Sequence, residues 1–398
     1  MPHQRNRLIL DIFQKKLKLS RVVAIQGCRQ SGKSFFARQI LSNRFPASIY
    51  VTFDQKVQKT FAEENPESFL KKYSDAAPFI IDEAQKVPEI FDAIKFQVDQ
   101  HIRPGQFVLL GSTEFSRLSK VRESLTGRMS RLRIYPLTLA ECLELPRAKP
   151  KALAHLMQPI PRTSRKAVLN HFEKGGFPGI FAVRSQESRR DFFQDWLELT
   201  LHRDLHQFKG VSVETELASE IIQRIALLPE PNVTLLAKAT KTNSRTVQRI
   251  LNLLETLFVV HRLDPHREGN GKPLYFLCDV GLATHLGADL ERQLWTWLLQ
   301  EQLAQRGTQL DEGWKLFYFR SPKGKFIHLI TENLRQREIS ALKILSTEKL
   351  DMREFEILSA FENRVQSEFS LVRKIAWGPL DYGDFKNGVI SYPWESLC

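Results

Sequence analysis

Residues 27–34 read Gly-Cys-Arg-Gln-Ser-Gly-Lys-Ser, and this Gly-x-x-x-x-Gly-Lys-Ser pattern restricts the possible folds more than any other stretch of the chain. Its flanks carry much of the weight. The apolar run Val22, Val23, Ala24, Ile25 precedes it, and Phe35, Phe36, Ala37, Ile40 and Leu41 follow at helical spacing. A buried strand that runs into a glycine-rich turn and then a helix converges backbone N–H groups on an anion at a positive helix N-terminus. Gly27 and Gly32 are expected to adopt backbone angles that a side chain would forbid, while Cys28, Arg29, Gln30 and Ser31 contribute main chain. Lys33 brings a point charge toward the β- and γ-phosphates, Ser34 a hydroxyl suited to Mg2+, and Phe35 continues the helix. The implied ligand is ATP or GTP. The alternative is a glycine-rich turn that binds nothing.

Two more strand ends specify the chemistry. Phe79-Ile80-Ile81 runs into Asp82-Glu83, about fifty residues after the loop, so Asp82 would hold a hydrated Mg2+ and Glu83 would polarise a water for in-line attack. Phe107 to Leu110 ends in Gly111-Ser112-Thr113, which puts hydroxyls at a strand's C-terminal edge, where open α/β sheets bind ligands. Ser112 or Thr113 could equally cap a helix. Downstream, Arg117, Lys120, Arg122, Arg128, Arg131 and Arg133 form a basic stretch with only Glu123 as counter-charge. Arg128 follows Gly127 after an amphipathic segment and could reach a neighbouring subunit's γ-phosphate. A solvated surface arginine is the other reading.

The runs 25–41, 50–54, 80–87 (Ile-Ile-Asp-Glu-Ala-Gln-Lys-Val), 110–112, 124–128 (Ser-Leu-Thr-Gly-Arg) and 135–137 together resemble a family of prokaryotic AAA+ ATPases. Its members join an AAA domain to a C-terminal domain of unknown function. The resemblance extends over about residues 5 to 345 and is strongest in the first 140. It implies Lys33, Ser34, Asp82 and Glu83 as the hydrolytic set, Ser112 as a sensor and Arg128 as an arginine finger, with ATP as the nucleotide and a homo-oligomer as the working form. Cys28 stands where relatives usually have proline. Binding should survive that change, because the position supplies backbone.

With 398 residues there is room for two or three domains, and the net charge of +13 is unevenly placed. Residues 1–150 hold 25 Lys and Arg against 15 Asp and Glu, whereas residues 271–398 hold 16 against 17. Such basicity fits a nucleic acid, an acidic protein partner or a subunit interface without choosing among them. The four cysteines, Cys28, Cys142, Cys278 and Cys398, form no Cys-x-x-Cys pair, so neither a zinc site nor a disulfide framework is expected. No signal peptide or membrane-length apolar run is evident, and a cytoplasmic protein without membrane contact is expected.

The expected architecture is α/β: a P-loop parallel sheet over 1–146, a linker and helical lid over 147–230, a winged-helix-like segment over 231–270, and a smaller α/β region over 271–398. Pro146, Pro150, Pro159 and Pro161 mark the linker. Gly176-Phe177-Pro178 resembles the Gly-x-Pro whose proline touches adenine in signalling relatives, although a simple helix break explains the same residues. Leu235 to Thr240 and Ser244 to Leu257 read as two helices around a tight turn, with Arg245, Gln248 and Arg249 placed to contact DNA if the second helix enters a groove. Many such helices pack only on protein. In the last region Leu274-Tyr275-Phe276 and Asp279-Val280-Gly281-Leu282 resemble the lead into a PD-(D/E)xK nuclease-like fold. There His328 and Ala341 occupy the carboxylate positions, Lys343 remains, and Glu332 and Glu338 are expected solvated in the intervening turn. That region reads as a degenerate nuclease, acting as a binding module. The function implied is Mg-dependent ATP hydrolysis by an oligomeric switch or remodeller. The alternative is an ATP-sensing scaffold with negligible turnover.

Overall fold

The computed structural model describes residues 5–117, 125–145, 164–205, 208, 214–307, 313–347, 355–379, 381–385 and 387–397. The linker expected over 147–162, residues 118–124 with Lys120, Arg122 and Glu123 among them, and Cys398 lie outside that set. The chain forms two compact units, one of residues 6–136 with 256–259, the other of 1–5, 137–255 and 260–398.

The first unit is built on a five-stranded parallel sheet in the order β2 (Ile49–Thr52), β3 (Phe79–Asp82), β4 (Phe107–Gly111), β1 (Val22–Gln26), β5 (Met129–Arg133). Every residue of β1, β3 and β4 is buried. This is why those strands read as unbroken apolar runs rather than alternating ones: a parallel sheet is covered on both faces by its crossover segments. The helix Ile90–Gln100 supplies one cover, burying Ile90, Phe91, Ile94 and Val98 from a single stripe. Another, Pro66–Lys72, begins where Pro66 can give no N–H and Asn65 accepts from Ser68 N at 3.0 Å. Phe69 then packs against Phe53, Phe61, Tyr73 and Phe79. This is the α/β P-loop sheet of an AAA-like fold.

In the second unit an eight-stranded mixed sheet runs β12 (Gly383–Phe385), β13 (Val389–Pro393), β11 (Leu371–Gly378), β10 (Glu338–Ile344), β9 (Phe326–Asn333), β8 (Trp314–Arg320), β6 (Val260–Pro265), β7 (Leu274–Leu277). Helices Val233–Ala239 and Ser244–Thr256 form the expected pair. The helix Leu290–Arg306 was not legible beforehand, because Thr296, Gln300, Glu301 and Gln302 are buried along with its apolar residues and no clean stripe survives. The glycine motifs acquire a packing cause. Asp279 caps the helix Val280–His285 through Leu282 N at 3.0 Å and also accepts from Gly176 N at 2.7 Å. A Cβ on Gly175 would lie 2.1 Å from Asp279 Oδ1, and one on Gly281 would lie 2.5 Å from Gly175 N, so this close approach of backbone tolerates only glycine. Burial raises the Asp279 carboxyl to about 6.

Glu332 is not in a turn and not solvated. Strand β9 continues to Asn333, and the Glu332 carboxylate is buried against His266 Nε2 at 2.9 Å and Arg267 at 2.8 Å. Glu338 opens β10, half-buried, with Arg373 at 3.3 Å. Both strands outlast the apolar alternation that marks them in sequence, because a charge paired inside a sheet leaves no hydrophobic signal.

Burial raises the Glu301 carboxyl to about 8, and nearby Glu141 pushes the same way. Leu139 N at 2.7 Å and Trp297 Nε1 at 3.0 Å both donate to Oε1, which leaves Oε2 to carry the proton. The unfolded chain loses that proton near its ordinary value of 4.5 and the folded chain near 8, so this group's contribution to stability declines as pH rises across that window and is level above it. Glu301→Gln keeps an acceptor for both donors and cannot ionise. Thermal melts should show a flatter pH dependence between about pH 5 and 9, with the variant melting at least ~2 °C above wild type at the alkaline end. Equal slopes for the two proteins would contradict a protonated Glu301.

Candidate nucleotide site

Strand β1 ends at Gln26, and the chain turns under β4 with Gly27 N donating to Gly111 O at 3.3 Å. Gly27 is not needed for a left-handed backbone, as its sequence position suggested. Its requirement is space: a Cβ there would lie 2.1 Å from Ile134 O. The left-handed angles fall instead on Gln30 (φ 59°) and Gly32 (φ 94°). Ser31 braces the loop, its hydroxyl donating to Cys28 O at 2.8 Å. Residues Lys33–Phe35 open a helix that continues as a π-helical turn over Phe36–Leu41. The Lys33 ammonium is buried and donates to Gly27 O at 2.9 Å and Cys28 O at 2.8 Å. Burial lowers its pKa, while Glu83 and Asp82 pull it back up. Such a lysine gains from an anion.

At the end of β3, Asp82 is buried and its Oδ1 accepts from Glu83 N at 2.9 Å. Its Oδ2 accepts from the Tyr50 hydroxyl at 2.5 Å. Glu83 holds a left-handed backbone (φ 55°), which is costly for a side chain of this kind and typical of functional sites. Its carboxylate accepts from Ser112 Oγ at 3.2 Å and from Gln85 Nε2, and Gln85 Nε2 lies 3.1 Å from Ser112 Oγ. The Ser112 hydroxyl thus faces Glu83 instead of capping a helix, and Thr113 Oγ1 is buried without a partner. Gln26 Nε2 ties this loop down by donating to Thr113 O at 2.7 Å. Lys33, Asp82, Glu83 and Ser112 are brought to one edge of the sheet. Tyr50 and Gln85 join them unforeseen; both lie inside stretches that carry the resemblance, but neither a tyrosine nor a glutamine announces such a role by type.

Arg128 is elsewhere. Strand β5 pairs with β1 in the register Val22↔Met129 and Gln26↔Arg133, so Arg128 lies at the opposite end of the sheet from the loop, roughly 16 Å away by strand rise. It makes a two-pronged ion pair with Asp99, Nε to Oδ1 at 2.5 Å and a terminal nitrogen to Oδ2 at 2.7 Å. The basic stretch is also less bare of counter-charge than it reads, since Glu114 lies 3.3 Å from Arg117 and 3.7 Å from Arg133. Residues 256–259 belong to this unit as well. Thr256 O accepts from Glu114 N at 2.8 Å, and Arg133 stacks on Phe258 at 4.5 Å.

In the other unit, Pro178 opens a short 3-10 helix after Phe177, whose ring packs among Phe192, Phe193 and Trp196. Arg245 and Arg249 are exposed on the helix Ser244–Thr256, and Gln248 bonds Asn252 at 3.0 Å and Tyr275 at 3.3 Å. His328 and Lys343 come together on β9 and β10. His328 Nδ1 accepts from Ile344 N at 3.1 Å, and its Nε2 faces Glu291 at 3.4 Å. Among the described residues no group of three or more His, Cys, Asp or Glu is arranged to hold a metal, and no helix is long and apolar enough to cross a membrane. Cys28, Cys142 and Cys278 are buried thiols outside any disulfide.

A glycine-rich loop leaving a central parallel strand, a buried lysine in it, and an aspartate–glutamate pair at a neighbouring strand end define a nucleotide-binding P-loop unit of ATPase type. Residues 19–143 match the family described as AAA domain, and residues 165–293 match a domain of unknown function (DUF8612). The chain is an AAA-domain protein with a C-terminal domain of unknown function. It is 26% identical over 319 residues to an uncharacterized protein of Mycobacterium tuberculosis, a match covering 73% of this chain and 64% of that protein. The chain thus spans under two thirds of that relative's length. An uncharacterized protein of Haemophilus influenzae is 25% identical over 326 residues, covering 73% of this chain and 76% of that one. A solved DNA polymerase III gamma subunit-related protein of Thermotoga maritima is 14% identical, covering 64% of this chain and 99% of that one, with a TM-score of 0.25, too low to bear on fold or function.

Proposed function

We propose that this protein is a Mg2+-dependent ATP hydrolase that works as a homo-oligomer, a nucleotide-driven switch or remodeller. The observation that carries this reading is the convergence of Glu83, Gln85 and Ser112 beside Asp82 at the loop edge of the sheet. Ser34 and Asp82 are the residues that would hold Mg2+, a hard cation whose preference for oxygen they meet; bound with ATP it would neutralise charge on the β- and γ-phosphates. Lys33 fits the same reading, since its buried ammonium donates to two carbonyl oxygens and an anion would repay its desolvation. Glu83 takes a proton from water on its carboxylate, and Ser112 and Gln85 set the orientation of that carboxylate. Because both donors engage Glu83, slow turnover by an ATP-sensing scaffold is the second reading.

Arg128 lies too far along β5 to serve its own loop, which supports action on a neighbouring subunit. We also place a DNA or acidic-protein contact on the helix Ser244–Thr256 through Arg245, Gln248 and Arg249, and a binding rather than cutting role on the region around His328, Ala341 and Lys343, three positions that themselves offer Mg2+ no carboxylate.

Lys33→Ala should abolish nucleotide binding, whereas Glu83→Gln should bind normally and lose turnover by about 10²-fold or more. Fluorescent-nucleotide titration with phosphate-release assays separates the two. Unchanged turnover in Glu83→Gln removes it from the mechanism. For Arg128→Ala, turnover should drop at least ~10-fold at unchanged ATP affinity, and mixing it with Lys33→Ala protein should restore part of the activity, since one supplies a competent loop and the other a competent arginine. No restoration, together with turnover per subunit that ignores protein concentration, would rule out a finger acting between subunits. If the helix grips DNA, Arg245→Ala with Arg249→Ala should weaken binding and reduce the slope of log affinity against log salt by about two. A slope unchanged from wild type would point to protein as the partner.

A further inference from the structure

We infer that Tyr50 is a positioning residue of the metal site, holding Asp82 in the arrangement that receives a divalent cation. This inference rests on the proposed role of Ser34 and Asp82 in holding Mg2+. Tyr50 lies on β2, in the strand beside Asp82: β2 and β3 pair in parallel with Tyr50 opposite Ile80 and Thr52 opposite Asp82. Its hydroxyl donates to Asp82 Oδ2 at 2.5 Å. The phenol of β2 therefore holds the carboxylate that ends β3.

The direction of these bonds matters more than their presence. Tyr50 gives its proton to Oδ2 of Asp82, while Glu83 N donates to Oδ1. Both carboxylate oxygens are thereby fixed in orientation, yet each retains a lone pair for metal-bound water. Arg38, about one helical turn past Ser34, places its guanidinium 5.6 Å from the centre of the Tyr50 ring. Mg2+ demands near-octahedral geometry and releases water reluctantly, so an oxygen pair set in advance matters more for it than for a tolerant cation. Partners that orient metal ligands in this way typically change metal affinity by 10- to 100-fold when removed.

The test is Tyr50→Phe, which keeps the ring and its contact with Arg38 and deletes only the hydroxyl. Binding of Mn2+ to the full-length protein with ADP, followed by electron paramagnetic resonance, reads the site without relying on turnover. Wild type, Tyr50→Phe and Ser34→Ala are compared, with ADP affinity in EDTA and the melting temperature measured for each. Tyr50→Phe should bind Mn2+ at least ~10-fold more weakly than wild type while ADP affinity in EDTA and melting temperature stay put. Mn2+ affinity that is unchanged or tighter in Tyr50→Phe overturns the inference, the tighter result marking the hydroxyl as a plug. Parallel losses of ADP affinity in EDTA and of stability also overturn it, leaving a purely structural tyrosine. If Mn2+ binds wild type no better than Ser34→Ala, the metal-site reading fails first and Tyr50's role goes with it.

Discussion

The backbone ladder that joins β1 to β4 on one side and β5 on the other is what the rest of the nucleotide site hangs on. It sets Gly27 beneath Ile134 and beside Gly111, and in doing so decides where Lys33 emerges and how far Ser112 stands from Glu83. Hydrogen bonds of this kind are individually modest, but a parallel pair fixes register for every residue along it, and a slip would carry each side chain to the wrong face. Gln26 shows the coupling: at the last rung of the ladder, its amide reaches across to hold the loop that carries Ser112.

Within that frame the carboxylate of Glu83 is the most constrained group. Its backbone is left-handed, and its side chain is gripped by a serine from one strand end and a glutamine from its own turn. Strain at such a point persists only when neighbours over-determine it. Here the neighbours are themselves responsive, since a hydroxyl that now faces Glu83 could turn toward a phosphate. The site therefore has the makings of two discrete arrangements rather than a continuum.

Much of this was legible in the sequence where a pattern carries a physical cause. Gly27 to Ser34 between a strand and a helix, and Ile80-Ile81-Asp82-Glu83, gave the parallel sheet and the four residues gathered at its edge, because buried parallel strands are continuously apolar and their ends are few. The reason assigned to Gly27 was different from the one found, since steric room cannot be distinguished from φ in a letter string. Tyr50 and Gln85 escaped notice because their importance comes from what stands beside them. The helix Leu290–Arg306 and the reach of β9 to Glu332 were obscured by paired or protonated polar groups in the interior, which break the periodic signal without breaking the element.

Residues 256–259 have a consequence for the modularity of this protein. They belong to the nucleotide-binding unit, yet more than a hundred residues separate them from Pro136. Thr256 O supplies the acceptor for Glu114 N, and Phe258, itself left-handed at φ 58°, supplies the ring under Arg133. A boundary drawn along the chain therefore differs from the boundary drawn in space. A gene fragment ending at Pro136 would encode the whole AAA sheet but lack the last piece of its compact unit, so this ATPase-type unit is poorly suited to being shuffled as a cassette. The recombination events that would preserve it are those that carry both stretches together.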